Sequence, residues 1–208
     1  MMFNAHHHDL GALGIYNLPL RTEVLPSYYS IGLHPAKVTT DYAKALPQLL
    51  ELAEFPECVA IGECGLDGLV EVPEALQEEA FKAQIAIAEQ LQKPLIIHCV
   101  KRYYEVAKLC ENLKVPVVFH GFNKNETIAE MLLEKGYYLS FGKALLNTET
   151  LQETFKKTPI ERLFLETDAA KVDLSEIYYT AATLKQMSVT GLERQILANV
   201  NTVFNLNL

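Results

Sequence analysis

Short apolar runs that stop at a polar residue recur along this chain. Met1-Met2-Phe3-Asn4-Ala5 stops at His6-His7-His8, Tyr28-Tyr29-Ser30-Ile31-Gly32-Leu33 at His34, and Cys58-Val59-Ala60-Ile61-Gly62 at Glu63. Pro94-Leu95-Ile96-Ile97 stops at His98, Pro116-Val117-Val118-Phe119 at His120, and Leu163-Phe164-Leu165-Glu166-Thr167 at Asp168. Runs that are continuous instead of alternating predict strands covered on both faces, the habit of parallel sheets. Segments of helical period lie between them. Ala75, Leu76, Ala80, Phe81, Ala83, Ile87 and Leu91 mark a helix over residues 74–92. Further helices are expected near 102–113, 125–135 and 148–157, with two more at the C-terminal end. Pro94 and Pro116 suit strand entry, and Gly136 suits a helix C-cap.

Counted from the start, strands are expected at 2–6, 13–18, 28–33, 58–62, 94–98, 116–120, 137–141 and 162–166. Eight strands alternating with helices predict an α/β fold of the (β/α)8 TIM type. Such a barrel usually takes about 250 residues. A chain of 208 residues must be trimmed, and the trimming falls at the first βα crossover, where residues 7–27 leave no room for a full helix. The alternative is an open doubly wound sheet, but that fold gathers ligands at one switch point, and the polar strand ends here are spread over the whole chain. One domain over residues 1–208 is expected.

Composition narrows the class. Half of the residues are apolar, and no apolar stretch approaches the roughly 20 residues needed to span a bilayer. The four cysteines, Cys58, Cys64, Cys99 and Cys110, show no Cys-x-x-Cys pair, so a reduced, cytoplasmic protein with neither a disulfide framework nor a zinc ribbon is expected. A net charge of -8 argues against a protein that coats nucleic acid with a broad basic surface, though not against an enzyme that meets phosphates locally. Lys37, Lys101, Arg102, Lys124, Lys143 and Lys171 lie just beyond strand ends, but Asp9, Asp67, Glu71 and Asp173 share those loops.

The polar strand ends carry the chemistry. In a barrel, catalytic groups come from the C-terminal ends of several strands. Alternation points His6 and His8 one way and His7 the other, which gives two imidazoles converging on one ion. Taken alone, three histidines in a row suggest a tag or a solvated tail; five other polar strand ends in the same chain argue otherwise. An unpaired Glu63 in an apolar interior would cost several kcal/mol, and a cation would offset that. His98 and His120 end consecutive strands in the same way. Glu166 and Asp168 share one face of the last strand; Asp168, nearer its end, is the expected ligand, with Glu166 one layer below. His6, His8, Glu63, His98, His120 and Asp168 are too many ligands for one tetrahedral ion and suit two ions, with Glu63 as the shared carboxylate. This donor set favours zinc, manganese, cobalt or iron over calcium or magnesium, without choosing among them. Two adjacent ions can activate water and neutralise charge on the attacking and leaving oxygens of a phosphodiester, with Asp168 and Glu63 as the catalytic carboxylates. His34, fixed by Pro35, is expected to serve the substrate. Cys64 and Cys99, turned away from the ligands, are expected to be inert thiols.

These residues resemble the TatD family of metal-dependent deoxyribonucleases, within the amidohydrolase-like barrels. The match runs in order: His6-His7-His8, Ile31-Gly32-Leu33-His34-Pro35, Ile61-Gly62-Glu63-Cys64-Gly65-Leu66-Asp67, Pro94-Leu95-Ile96-Ile97-His98, His120-Gly121-Phe122 and Leu165-Glu166-Thr167-Asp168. The resemblance implies one divalent ion among His6, His8, Glu63 and Asp168, and a second among Glu63, His98 and His120. It also implies DNA as the substrate, in single-stranded or frayed form. The departures are Asn4 where the family has Asp, Cys99-Val100-Lys101 where it has an Arg soon after the histidine, no Asn-Glu-Pro segment after the last strand, and the missing first crossover. Two other functions compete: an amidohydrolase-like enzyme on a small phosphoester, amide or lactone, and a metal-binding protein without catalysis. No membrane and no protein partner are implied.

Overall fold

The computed structural model describes residues 1–22 and 24–208. Eight strands alternate with helices as the apolar runs predict: β1 (Asn4–His7), β2 (Gly14–Leu18), β3 (Tyr29–Ile31), α1 (Leu46–Glu54), β4 (Cys58–Asp67), α2 (Glu74–Leu91), β5 (Leu95–Val100), α3 (Tyr103–Leu109), β6 (Val117–Phe119), α4 (Glu126–Glu134), β7 (Tyr138–Phe141), α5 (Glu149–Lys157), β8 (Leu163–Leu165), α6 (Leu174–Leu184) and α7 (Val189–Phe204). Among the described residues no helix separates β1 from β2 or β2 from β3, so the alternation begins after β3 and the trimming covers both of the first crossovers. Among the described residues, no helix is long and apolar enough to cross a membrane.

The chain divides into two compact units, residues 16–119 and residues 1–15 with 120–208. In the first, consecutive strands pair in parallel, with Tyr16 opposite Tyr29, Ile31 opposite Ile61, and Leu95 opposite Val117. All ten residues of β4 are buried, and the strand is longer than its apolar run. The cause is a bulge: Gly62 pairs with Ile96 and Cys64 with Ile97, so Glu63 is the extra residue. Bulges of this kind re-aim a side chain and cluster beside active sites. Beyond the bulge β4 continues to Asp67 and gives His98, Cys99 and Val100 their partners Gly65, Leu66 and Asp67. His98 therefore lies inside β5 and not at its end.

Two glycines make this approach possible. Gly62 and Gly65 have φ of +147° and +141°, and a Cβ on them would stand 2.3 Å from the Ile96 carbonyl and 2.1 Å from that of His98. Helix α2 secures the strand ends from outside. The buried Gln84 amide accepts from Leu33 N (2.6 Å) and donates to Leu33 O (3.3 Å); Gln77, two turns earlier, does the same for Asp67 (2.8 and 3.1 Å). An unpaired buried peptide group costs about 1–3 kcal/mol, so these amides complete the strands where no neighbouring strand does.

In the second unit β7 pairs with β8 in parallel, and β1 lies against the end of β8, where Asp168 N donates to His6 O (3.0 Å). Helix side chains again take up backbone groups. Tyr178 of α6 accepts from Phe3 N (3.1 Å) and donates to Phe3 O (2.8 Å), and Asn199 of α7 donates to Ile160 O (2.8 Å) and Leu163 O (2.9 Å). Phe141, Phe155, Phe164 and Phe204 pack ring against ring in the core.

Gly65→Ala is expected to lower stability by about 3 kcal/mol, from backbone strain and the clash with the His98 carbonyl. The urea midpoint measures it, and a midpoint equal to the wild type would show that the close β4–β5 approach is not required.

Candidate functional site

In the unit formed by residues 16–119 the bulge presents Glu63 beside His98. The Glu63 side chain is 8% exposed. Its Oε2 accepts from Asn17 Nδ2 at 3.0 Å, and its Oε1 lies 2.9 Å from His98 Nδ1 and 3.4 Å from His34 Nε2. The other nitrogen of His98, Nε2, is 3.1 Å from Asp67 Oδ2. A neutral imidazole carries one ring proton and so satisfies only one of two facing carboxylates. The second contact sets a lone pair against an anion unless the ring is doubly protonated or a bound cation meets that lone pair.

His34 behaves differently. Its Nδ1 accepts from Ala36 N at 3.1 Å, capping the turn that Pro35 begins. The proton of the neutral ring is then on Nε2, directed at Glu63. A protonated ring nitrogen has no lone pair for a cation, so this imidazole acts as a donor.

In the other unit, His6 Nε2 is 3.7 Å and His8 Nε2 3.3 Å from Asp168 Oδ1. His6 and His120 meet ring to ring with centroids 4.4 Å apart. Asp168 holds the left-handed conformation, φ +52°, which Asp adopts more readily than most side chains. Its side chain is 44% exposed, whereas that of His6 is 1% exposed, so the carboxylate faces solvent from a buried imidazole base. Glu166 is fully buried and accepts from Gly121 N (2.7 Å), from Ser140 Oγ, and from the His120 ring, whose Nδ1 is 3.3 Å away. Asn4 is clamped to Thr167 by two hydrogen bonds, Nδ2 to Oγ1 (2.8 Å) and Thr167 N to Oδ1 (3.0 Å). A cavity of about 480 Å³ opens beside His8 and Asp168, walled by Leu13, Thr167, Ala170 and Lys171 among others.

The donor chemistry fits divalent ions. Nitrogen and oxygen ligands bonded at about 2.0–2.2 Å in a tetrahedron stand roughly 3.4 Å from one another. The contacts of 3.3 and 3.7 Å that His8 and His6 make with Asp168 have that spacing and exceed a good hydrogen bond. His6, His120 and Asp168 form one group whose ligand atoms all lie within 4.8 Å of one another, and His34, Glu63 and His98 form another. The four cysteines are buried, and burial pushes the thiols up, to about 11 for Cys58 and about 12 for Cys110, so they stay protonated. Arg102, one of the bases near a strand end, is engaged by Glu74 through Nε and Nη2, both at 2.9 Å.

Sequence reasoning overlooked Asn17, Asp67, Gln77 and Gln84 as contributors to this site. Asp67 carried a signal in its Gly65-Leu66-Asp67 motif. A glutamine inside an amphipathic helix carries none, because it reads as part of the solvated face.

The chain matches the family model described as TatD related DNase over residues 20–205. It is 29% identical over 199 residues to the uncharacterized metal-dependent hydrolase YabD of Bacillus subtilis, covering 86% of this chain and 78% of that protein. It is 35% identical over 146 residues to the 3'-5' ssDNA/RNA exonuclease TatD of Citrobacter rodentium, covering 66% of this chain and 55% of that protein. The crystal structure of YjjV, a TatD homolog from Escherichia coli K12, superposes with a TM-score of 0.84 at 21% identity over 99% of this chain and 98% of that one, a likeness of fold. The chain belongs to the TatD related DNase family and is a metal-dependent hydrolase of (β/α)8 fold.

Proposed function

We propose that the protein is a nuclease that hydrolyses phosphodiester bonds at the ends of single-stranded nucleic acid, DNA above all, with two divalent ions. The observation that carries this reading is His98 set between the carboxylates of Glu63 and Asp67, the surroundings that metal-binding imidazoles commonly have. The names of relatives such as the TatD exonuclease of Citrobacter rodentium support the substrate class. His6, His8, His120 and Asp168 in one unit, and Glu63 and His98 in the other, are the proposed ligands. Zinc, manganese, cobalt, iron or magnesium in these positions would polarise the phosphoryl oxygens and lower the pKa of water. Asp168, half-exposed, accepts the proton of the attacking water at its carboxylate. His34 donates Nε2–H toward the substrate side of Glu63 and is the proposed phosphate contact. The cavity beside Asp168 admits the strand end, with Lys171 at its wall.

The test is cleavage of end-labelled single- and double-stranded DNA before and after exhaustive chelation, with magnesium, manganese or zinc restored. Loss on chelation, recovery with metal and preference for the single strand are expected. Cleavage that survives chelation, or none with any metal, would sink the reading.

Glu63→Gln removes the negative charge of a proposed ligand, so metal titration should show occupancy falling below that of the wild type. An unchanged stoichiometry would remove Glu63 from the ligand set. His34→Ala is expected to keep full metal content while turnover drops roughly 10–100-fold, the loss of one charge-assisted contact to the transition state. If instead one metal equivalent disappears with His34, the residue is a ligand.

A further inference from the structure

The mechanism above leaves Asp67 without a task, although it is among the most constrained carboxylates in the molecule. Its residue is 9% exposed. Its backbone is gripped on both sides by Gln77, through Asp67 N to Oε1 (2.8 Å) and Nε2 to Asp67 O (3.1 Å). Its Oδ1 accepts from Leu69 N at 2.8 Å, which fixes the plane of the carboxylate and leaves Oδ2 directed at His98 Nε2, 3.1 Å away. A carboxylate needed only to terminate a strand would not require a second oxygen held in this way.

We propose that Asp67 is a positioning residue that sets the tautomer of His98. It accepts the proton on Nε2, so that the Nδ1 lone pair faces Glu63 and would be available to a cation held there. Buried carboxylates behind metal-bound imidazoles orient the ring and raise its basicity, and their loss typically costs about 10–100-fold in metal affinity. The chemistry demands a carboxylate. Both oxygens must accept, one from Leu69 N and one from His98, whereas an amide offers one acceptor and would turn its NH₂ toward one of these donors. Gln77 belongs to the same device, because it holds the backbone from which Asp67 reaches His98. This proposal rests on reading His98 and Glu63 as ligands.

Zinc titration with competition by a chelator, on wild-type protein and on Asp67→Asn, tests it. The variant is expected to lose roughly 10–100-fold in affinity for one equivalent of zinc while any other equivalent binds as before. Long-range ¹H–¹⁵N spectra of the histidine rings supply a second measurement that needs no variant: in the metal-free wild type, near neutral pH, His98 should carry its proton on Nε2. A proton on Nδ1 overturns the proposal even if Asp67→Asn does not fold. Equal zinc affinity in variant and wild type overturns the positioning role alone, and a wild type that takes up no zinc, manganese or cobalt overturns the ligand reading beneath it.

Discussion

Burying a carboxylate is the costly step in this molecule, and much of the surrounding structure answers to it. Moving an anion from water into a protein interior costs several kcal/mol unless charges and donors replace its hydration. Glu63 and Glu166 are both buried, and each is surrounded by groups that repay the cost. Around Glu166 the repayment is complete within the chain: a peptide N–H, a hydroxyl and an imidazole converge on it. Around Glu63 the groups of its own unit are Asn17, the His34 ring and a His98 ring that is shared with a second carboxylate. Imidazoles beside a buried carboxylate can donate to it, and they can also share a cation with it.

The backbone around β4 follows from that requirement. A regular strand would alternate Gly62, Glu63 and Cys64 between faces, with Glu63 opposite a β5 residue. The bulge frees Glu63 from the pairing, and Gly62 and Gly65, which carry no Cβ, let β4 resume against β5 at close range. The resumed pairing in turn carries Asp67 alongside β5, where its carboxylate reaches His98. One irregularity thus places a carboxylate on each side of the same imidazole.

What was legible beforehand divides along physical lines. The eight strands and most helices were readable because burial on both faces forces continuous apolar runs, and because Pro94 and Pro116 punctuate them. Helix α1 went unnamed. The strand ends were misjudged where pairing and not hydrophobicity decides the length: β4 and β5 run on past their apolar cores because each gives the other a partner, while β3 stops at Ile31 and the chain turns at His34. The histidines and acids of the candidate site were visible as polar ends of apolar runs. Asn17, Gln77 and Gln84 were not, since their work is to hold backbone or carboxylate groups whose need for a partner arises only in the folded chain.

Asn4 shows how a departure from the family pattern can leave geometry intact and change charge. The family's Asp at this position would be an anion beside His6 on the same face of β1, since residues two apart in a strand share a face. The amide keeps a two-bond clamp on Thr167, donating to Oγ1 and accepting from N. An aspartate could form the same pair if the threonine hydroxyl turned to donate, so the clamp does not distinguish the two residues. Charge does. With Asn4 neutral and 2% exposed, the carboxylate of this unit that meets the His6 and His8 imidazoles is Asp168, which is half-exposed. Attraction between an anion and a cation weakens with solvent exposure, so a cation bound in this unit would be held through its imidazoles more than through Asp168.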